Sequence, residues 1–380
     1  MRILHTADLH LGRQFNGIPL DEDHQAILDQ IVHAAVDLRA DVLIIAGDIF
    51  DRAAPPAAAV RQFNAFLSRI AAETSAAVAL IAGNHDSGDR IASMSIMTDA
   101  RRALIRGVVS ADEKPLLLTD AHGIVAFSGL PFSYEFAARE CFADETMQTP
   151  EDVIAAQIAS ARRNVPEGAR WVIVAHAFVA GADGSDSERP LARVGGVETV
   201  RPDVFEGAHY VALGHLHRPQ FVGVPHLRYS GSPLAFGFDE ADAAKSMSLV
   251  EIDATGKTTI ENIPFKPLRG VRILTGKHAE LLLAEPSEDF VKVVLTDETP
   301  VIDAMKRLRA MFPNACDLTY QREERAPEIK SLARSGTKVA DPIGVIGDFL
   351  NFIRNEPMTD SELAIVAPAL HLAQNGGEAA

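Results

Sequence analysis

Cysteine is nearly absent from this chain: Cys141 and Cys316 are the two found in 380 residues. Two thiols cannot build a disulfide framework, and these fit no zinc-binding spacing, so a reducing, cytoplasmic setting is expected. No run of about 18 or more apolar residues exists, and the chain enters directly into a strand-like segment without a secretory leader, so no membrane association is expected. Basic residues are also short, 36 Lys and Arg against 52 Asp and Glu, for a formal net charge of −16. That deficit speaks against a surface that grips nucleic acid by simple basic excess. It does not exclude a nucleic-acid substrate, because bound dications reverse the local field and a basic partner can supply the hold on phosphates. The remaining composition, 47% hydrophobic and 23% charged, is that of a soluble globular protein with room for one large and one small domain.

Against those absences stand five short motifs: Asp8-Leu9-His10, Gly47-Asp48-Ile49-Phe50-Asp51, Gly83-Asn84-His85-Asp86, His176 and Gly214-His215-Leu216-His217. Their Asp, Asn and His side chains are the ligand types that hold two divalent ions for phosphate-ester hydrolysis. Each motif alone is weak; their context is informative. Ile3-Leu4-His5-Thr6, Val42-Leu43-Ile44-Ile45, Val78-Ala79-Leu80-Ile81, Val172-Ile173-Val174 and Tyr210-Val211-Ala212-Leu213 precede them, and each reads as a buried strand. The polar residues therefore fall just past the carboxyl ends of strands, where open α/β sheets place their sites.

The intervening segments agree. Asp21 to Leu38 carries a helical stripe of Ile27, Ile31, Ala34, Ala35 and Leu38. Ala57 to Ile70 carries another, Val60, Phe63, Phe66, Leu67 and Ile70, opened by Pro55-Pro56. Strand–helix alternation up to Asn84 predicts crossovers over a parallel sheet. Later, Leu227-Arg228-Tyr229, Met247 to Ile252 and Thr258 to Ile263 read as short strands, with a hairpin turn at Ala254-Thr255-Gly256. They predict a second, more antiparallel sheet packed on the first. Thr255-Gly256-Lys257-Thr258 mimics the end of a phosphate-binding P-loop, but the first glycine of that motif falls at Glu251, so no nucleotide site is expected in this chain.

Longer segments sharpen the reading: His5-Thr-Ala-Asp8-Leu-His10-Leu-Gly12, Ala46-Gly-Asp48-Ile-Phe-Asp51-Arg52, Gly83-Asn-His85-Asp-Ser87, Asp186-Ser-Glu-Arg189-Pro-Leu191, Tyr210-Val-Ala-Leu-Gly-His215-Leu-His217-Arg218-Pro219 and Arg228-Tyr-Ser-Gly-Ser-Pro233. With these the chain resembles the calcineurin-like metallophosphoesterase superfamily and, within it, the SbcD nucleases. The resemblance covers the first 265 residues well and the remainder loosely. It implies a four-layer α/β/β/α sandwich with a small α+β cap domain and C-terminal helices. It further implies a metal-dependent DNA exonuclease and endonuclease, cutting double-strand ends and hairpins and working with an SbcC-type ATPase in DNA repair and recombination. The alternative is a phosphodiesterase or phosphatase of the same superfamily acting on a nucleotide or phosphoprotein. A metal-free scaffold of this fold would have no reason to keep the complete ligand set.

By resemblance, Asp8, His10 and His217 complete one metal and Asn84, His176 and His215 the other. The short carboxylate of Asp48 suits a bridge between ions about 3.5–4 Å apart. A set this rich in imidazole disfavours magnesium, which prefers oxygen ligands. Manganese is the family expectation, with iron or zinc open from ligand type. His85, beside Asn84, is implied as the acid that protonates the leaving oxygen, and Asp51 as the group that hydrogen-bonds its imidazole and raises its pKa. Asp86 reads as structural, closing its turn onto backbone N–H groups. Arg13, Arg52, Arg90, Arg189 and Arg193 lie in loops that rim the site, where each either grips phosphate or stays solvated. The other eight of 13 histidines, His5 and His24 among them, have no partner at ligand spacing and read as surface or packed residues.

Past Pro264-Phe265-Lys266-Pro267 the motifs stop. Phe290 to Leu295 predicts a strand, Val301 to Phe312 a helix with Ile302, Met305, Leu308 and Phe312 on one side, and Asp317 to Gln321 another strand. The expected division is a nuclease domain over 1–265, a DNA-capping module over 266–328, a linker over 329–340 and partner-binding helices with a tail over 341–380. Asp341-Pro342 and Thr359-Asp-Ser-Glu362 mark two helix starts, and Ile343, Ile346, Phe349, Leu350 and Ile353 form a stripe. That stripe either docks on the ATPase partner or packs on the cap. A homodimer within a heterotetramer is implied by resemblance, through apolar helix faces such as Ala57 to Ile70 and Ile91 to Ile105.

Overall fold

The computed structural model describes residues 1–188, 192, 193, 196, 197, 199–241, 243–321, 358, 359, 362, 363 and 365. The chain forms two compact units, Met1–Leu318 and Thr319–Ala380.

Two six-stranded sheets dominate the first unit. In one, Arg2–Thr6, Val42–Ala46, Ala77–Ile81 and Ala103–Arg106 run parallel, with Ile3 opposite Val42 and Ile45 opposite Leu80. In the other, Gly123–Leu130, Arg170–His176, Tyr210–Gly214 and Val224–Tyr229 run parallel, and Gly214 pairs with His176. Their facing surfaces bury Ile3, Ile44, Ala79, Val125, Phe127, Val174, Ala212 and Val250 in one cluster. Helices Asp21–Asp37 and Ala57–Glu73 cover the outer face of the first sheet through Ile27, Ile31, Phe63, Phe66 and Ile70. Helix Pro150–Arg162 covers the second through Ile154 and Ile158, and Thr149 and Asp152 cap it reciprocally. The expected four-layer α/β/β/α sandwich is the result. Among the described residues, no helix is long and apolar enough to cross a membrane.

The expected second sheet needs correcting. The hairpin Ser246–Ile252 and Thr258–Pro264 extends the first sheet, with Leu4 opposite Leu249 in antiparallel register. The second sheet is instead built around the strands that deliver His176 and His215, and its antiparallel strands, Leu116–Asp120 and Gln220–Val222, lie at its edges. Apolar alternation marks a strand and its inward face, but carries no address for its neighbour. The apolar run Ile91 to Ile105 is likewise not one helix. A short helix Gly88–Ser93 passes into a 3₁₀ turn Met94–Met97, and Ile105 lies on the edge strand Ala103–Arg106.

Beyond Pro264, strands Val271–Gly276, Phe290–Leu295 and Ala315–Tyr320 form a small sheet. Phe290 stacks on Phe15 at 4.7 Å, and the Arg269 guanidinium covers the Phe290 ring while ion-pairing with buried Asp23. The expected helix over 301–312 shortens to Ala304–Leu308, because Asp303 takes a left-handed φ of 53° that stops helix from extending backward; Ile302 is left exposed. In the second unit, Thr359 and Glu362 make the expected reciprocal cap. The linker 329–340, the stripe from Ile343 to Ile353 and the tail lie outside the described residues.

Candidate metal centre

The two sheets face each other with the carboxyl ends of their parallel strands at one rim, and all five motifs meet there. Asp8 and His10 follow Arg2–Thr6; Asp48 and Asp51 follow Val42–Ala46; Asn84, His85 and Asp86 follow Ala77–Ile81. The other sheet contributes His176, at the end of Arg170–His176, and His215 and His217, just beyond Tyr210–Gly214. Glycine makes this convergence possible. A Cβ on Gly214 would lie 1.8 Å from the Ala46 carbonyl oxygen, and one on Gly83 would lie 2.1 Å from Asp48 Oδ1. The polar residues themselves are held in unusual backbone states. Asp8, His10, Asp48 and His215 have φ of 55°, 46°, 48° and 103°, left-handed values that non-glycine residues keep only where the surroundings impose them.

Asp8, His10, Asp48, Asn84, His176, His215 and His217 are all buried. Main-chain amides fix the two carboxylates: His215 N–H donates to Asp8 Oδ1 and His85 N–H to Asp48 Oδ1, both at 2.9 Å. Asp48 Oδ2 then lies between the two halves of the site, 3.7 Å from His10 Nε2 and 3.6 Å from His176 Nε2. His176 Nδ1 donates to the Ala46 carbonyl at 2.9 Å, which leaves Nε2 with its lone pair. That lone pair faces Asn84 Oδ1 at 2.9 Å, and His215 Nδ1 approaches the same oxygen at 3.1 Å. His10 Nε2 and His217 Nε2 meet at 3.1 Å.

Burial lowers every one of these imidazoles. His176 and His217 fall to about 4, and His10 and His215 well below the ordinary value, with neighbouring imidazoles adding to the effect at the last two. Neutral imidazole is the form that ligates metal. Burial, together with the Asp48 carboxylate, pushes Asp8 well above the usual carboxylate range, so two acids crowd one buried site. Asp8 Oδ2, His10 Nδ1 and Asn84 Nδ2 are buried without a hydrogen-bond partner among the described residues. Converging acceptors, neutral imidazoles and an orphaned carboxylate oxygen fit divalent cations. Two clusters have potential ligand atoms within 4.8 Å of one another, Asp8 with Asp48 and His176, and His10 with Asp51 and His85.

His85 sits at the edge of this cluster, its ring edge-on to His10 at 4.7 Å. The bond expected from the Asp51 carboxylate is made by the Asp51 main-chain carbonyl, which accepts from His85 Nδ1 at 2.8 Å. The carboxylate turns away, to 4.0 Å from His10 Nδ1 and 3.8 Å from Arg13 Nη1. Asp51 N–H itself donates to the Leu11 carbonyl, and with its Nδ1 held by the Asp51 carbonyl the His85 ring is fixed. His85 Nε2 is thereby free to face the site, 3.9 Å from Asp48 Oδ2.

An open groove of about 560 Å³ lies beside His85, lined by Arg13, Asn16, Asp51, Arg52, Ser187 and Glu188 among others. Arg13 is largely buried over the Phe236 ring at 4.6 Å and donates to the Ser187 carbonyl, whereas Arg52 is exposed. Arg90 is exposed away from this groove lining. Arg193 lies in the short strand Ala192–Arg193, with its side chain outside the described set, and Arg189 lies outside the described residues altogether.

Several supporting residues were not singled out from sequence. Ser187 Oγ lies 2.6 Å from His217 Nδ1, and Glu240 contacts that hydroxyl and the buried ammonium of Lys245. Burial raises Glu240, but its bonds to His217 and Lys245 override that and hold it low. Glu188 accepts from His217 N–H at 2.7 Å, and Phe236 packs edge-on against both His10 and His217. The Asp186-Ser-Glu-Arg189 segment signalled Ser187 and Glu188; Glu240, in the 3₁₀ turn Phe238–Glu240, carries no local signal. His5 and His24 are packed, as expected.

Asp86 closes its turn as read, its carboxylate accepting from Gly83 N–H at 2.9 Å, and it also ties that turn to the Asp48 loop by accepting from Ile49 and Phe50 N–H at 3.1 and 3.0 Å. Asp86→Ala strips three amides of their acceptor. At about 1 kcal/mol for each lost bond, metal-free protein should lose about 3 kcal/mol, read as a lower urea midpoint. An unchanged midpoint would show that the turn does not depend on this side chain.

The model of the calcineurin-like phosphoesterases matches residues 1–219. A second model, the Type 5 capsule protein repressor C-terminal domain (SbcD_C), matches residues 264–351. Among solved structures, the crystal structure of TT1561 from Thermus thermophilus aligns at 15% identity over 69% of this chain and 98% of that one. The TM-score of that alignment is 0.39.

Proposed function

The chain belongs to the calcineurin-like phosphoesterase family, and from that premise we propose that it is the DNA nuclease subunit of an SbcCD-type complex, a two-metal phosphodiesterase acting in DNA repair and recombination. The observation that carries this reading is the pairing, in one chain, of the rim of Asp, Asn and His side chains with an SbcD_C segment over 264–351. Asp8, His10 and His217 are proposed for one ion, Asn84, His176 and His215 for the other, and Asp48 for both; manganese is the ion proposed. Two divalent ions held there supply Lewis acidity to the phosphoryl group and a water of lowered pKa.

The chain's own residues do the rest. The Ala46 carbonyl fixes the His176 tautomer, and Ser187 with Glu240 orients His217. His85, with Nδ1 committed to the Asp51 carbonyl, directs Nε2 at the site and is the proposed donor of a proton to the leaving oxygen. Arg13 and Arg52 line the groove beside it and are proposed to contact substrate phosphates. The small sheet beyond Pro264 is the proposed cap over duplex DNA. Residues 341–380, past a linker at 329–340, are the proposed dock for an SbcC-type ATPase, within a heterotetramer built on a homodimer of this chain.

The test is substrate choice. Purified protein with manganese is expected to cut linear duplex and hairpin DNA and to leave a phosphomonoester and a cyclic nucleotide largely untouched. Turnover of the small substrates with DNA intact would replace the nuclease reading with a nucleotide phosphodiesterase or phosphatase.

A further inference from the structure

A line of aromatic rings runs outward from the metal centre, and nothing in the site described above uses it. Phe132 stands edge-on to His176 at 6.5 Å, and its N–H is anchored to the Ala82 carbonyl just before the Asn84 loop. Tyr134 packs edge-on against Phe132 at 5.0 Å. Phe136 lies beyond, its ring within 11° of parallel to Tyr134 at 5.7 Å, an offset stack. The two outer rings are strongly exposed, Tyr134 at 50% and Phe136 at 68%. Burial would recover the hydrophobic free energy of such rings, so two of them stacked in solvent at the lip of a reaction centre mark a contact surface.

We propose that Phe132, Tyr134 and Phe136 form a stacking ladder for the bases of an unpaired DNA strand entering or leaving the metal centre. The inference rests on the nuclease reading above and names its substrate: single-stranded or frayed DNA, with the bases turned toward the protein. Continuity is the first argument. The ladder begins on a ring that stands edge-on to a proposed metal ligand, so a strand whose phosphate sits at the centre has its neighbouring bases within reach of it. Charge is the second. A chain with 52 acidic and 36 basic residues has no basic excess with which to grip a phosphate backbone, whereas base stacking on a π face is sequence-tolerant and is a known grip for single strands. Bases inside a duplex are already stacked and cannot use the ladder, which favours ends, hairpin loops and mismatched stretches.

The experiment measures binding of a short fluorescein-labelled oligothymidylate to the full-length chain in EDTA, where nothing is cleaved. The double variant Tyr134→Ala/Phe136→Ala is expected to bind about tenfold more weakly or worse, with the same loss ratio at low and high salt. A strand of equal length made of abasic sites should bind both proteins alike. Tyr134→Phe with Phe136→Tyr keeps both rings and should keep the affinity. In Phe136→Trp the new indole should be quenched by oligothymidylate and not by the abasic strand. Equal affinity of the alanine variant and wild type for oligothymidylate, an equal loss on the abasic strand, or an indole blind to the bases would each overturn the ladder. The two readings fail differently. Wild-type protein that cuts DNA while its affinity ignores these rings removes the ladder alone; wild-type protein that neither binds nor cuts DNA removes both.

Discussion

Asp48→Ala is expected to abolish both the binding of the metal pair and all phosphodiester hydrolysis, with the fold retained. Asp48 Oδ2 lies within 3.7 Å of His10 Nε2 and 3.6 Å of His176 Nε2, one from each half of the site, so its loss removes the carboxylate proposed as a ligand to both ions. The metal-free fold should tolerate the change. The Asp48 carboxylate already disfavours a charged Asp8, and removing it relieves that repulsion. Against this stands the left-handed φ of 48°, which alanine adopts at a cost of about 1–2 kcal/mol. Asp48→Asn keeps a side-chain acceptor for His85 N–H and should lose the metals too, because it removes the negative charge. Metal analysis of the purified variants decides the matter: two manganese ions per chain in Asp48→Ala would sink the bridging role.

His85→Ala should separate chemistry from coordination. The variant is expected to hold two ions and bind DNA normally while cutting ordinary phosphodiesters slower by about 10²–10⁴-fold, the usual contribution of a general acid. The geometry gives the reason. Nδ1 is committed to the Asp51 carbonyl at 2.8 Å, so the ring is oriented by main chain and only Nε2 can deliver a proton. An alkoxide leaves poorly without one. A nitrophenolate leaves unaided, so bis-nitrophenyl phosphate should show a much smaller deficit. Asp51→Asn keeps the orienting carbonyl and should be milder than His85→Ala on DNA. Equal losses on both substrates, or a missing ion, would show that His85 is not the acid.

Much of this site was legible before any coordinates. The five motifs, the strands leading into them and the helices over Asp21–Asp37 and Ala57–Glu73 all follow from local pattern. A strand's burial, a helix's stripe and the polar residue at a strand's carboxyl end are each written within about ten residues. Asp86 could be read as a turn-closer for the same reason, since Gly83 N–H lies three residues away, but its bonds to Ile49 and Phe50 N–H reach a loop 36 and 37 residues earlier and needed the fold.

What the tertiary structure decided has another origin. Which sheet the hairpin Ser246–Pro264 joins is settled by the free edge beside Arg2–Thr6, and alternation within the hairpin does not encode it. The His176 tautomer is set by a carbonyl 130 residues earlier, and His217 is oriented by Ser187 and Glu240, on segments with no fixed spacing from it. The Asp51 side chain looked like the partner of His85 because the two share a site, yet the loop presents its carbonyl instead. That the neighbouring rings Phe132, Tyr134 and Phe136 lead to His176 could not be read from sequence, since Phe132 meets His176 only when the end of Arg170–His176 is folded beside the end of Gly123–Leu130. Sequence determined which polar residues gather at the strand ends, because local periodicity and strand ends are short-range properties. Structure alone determined which atom of each residue faces the site, because that depends on groups brought together by packing across the whole chain.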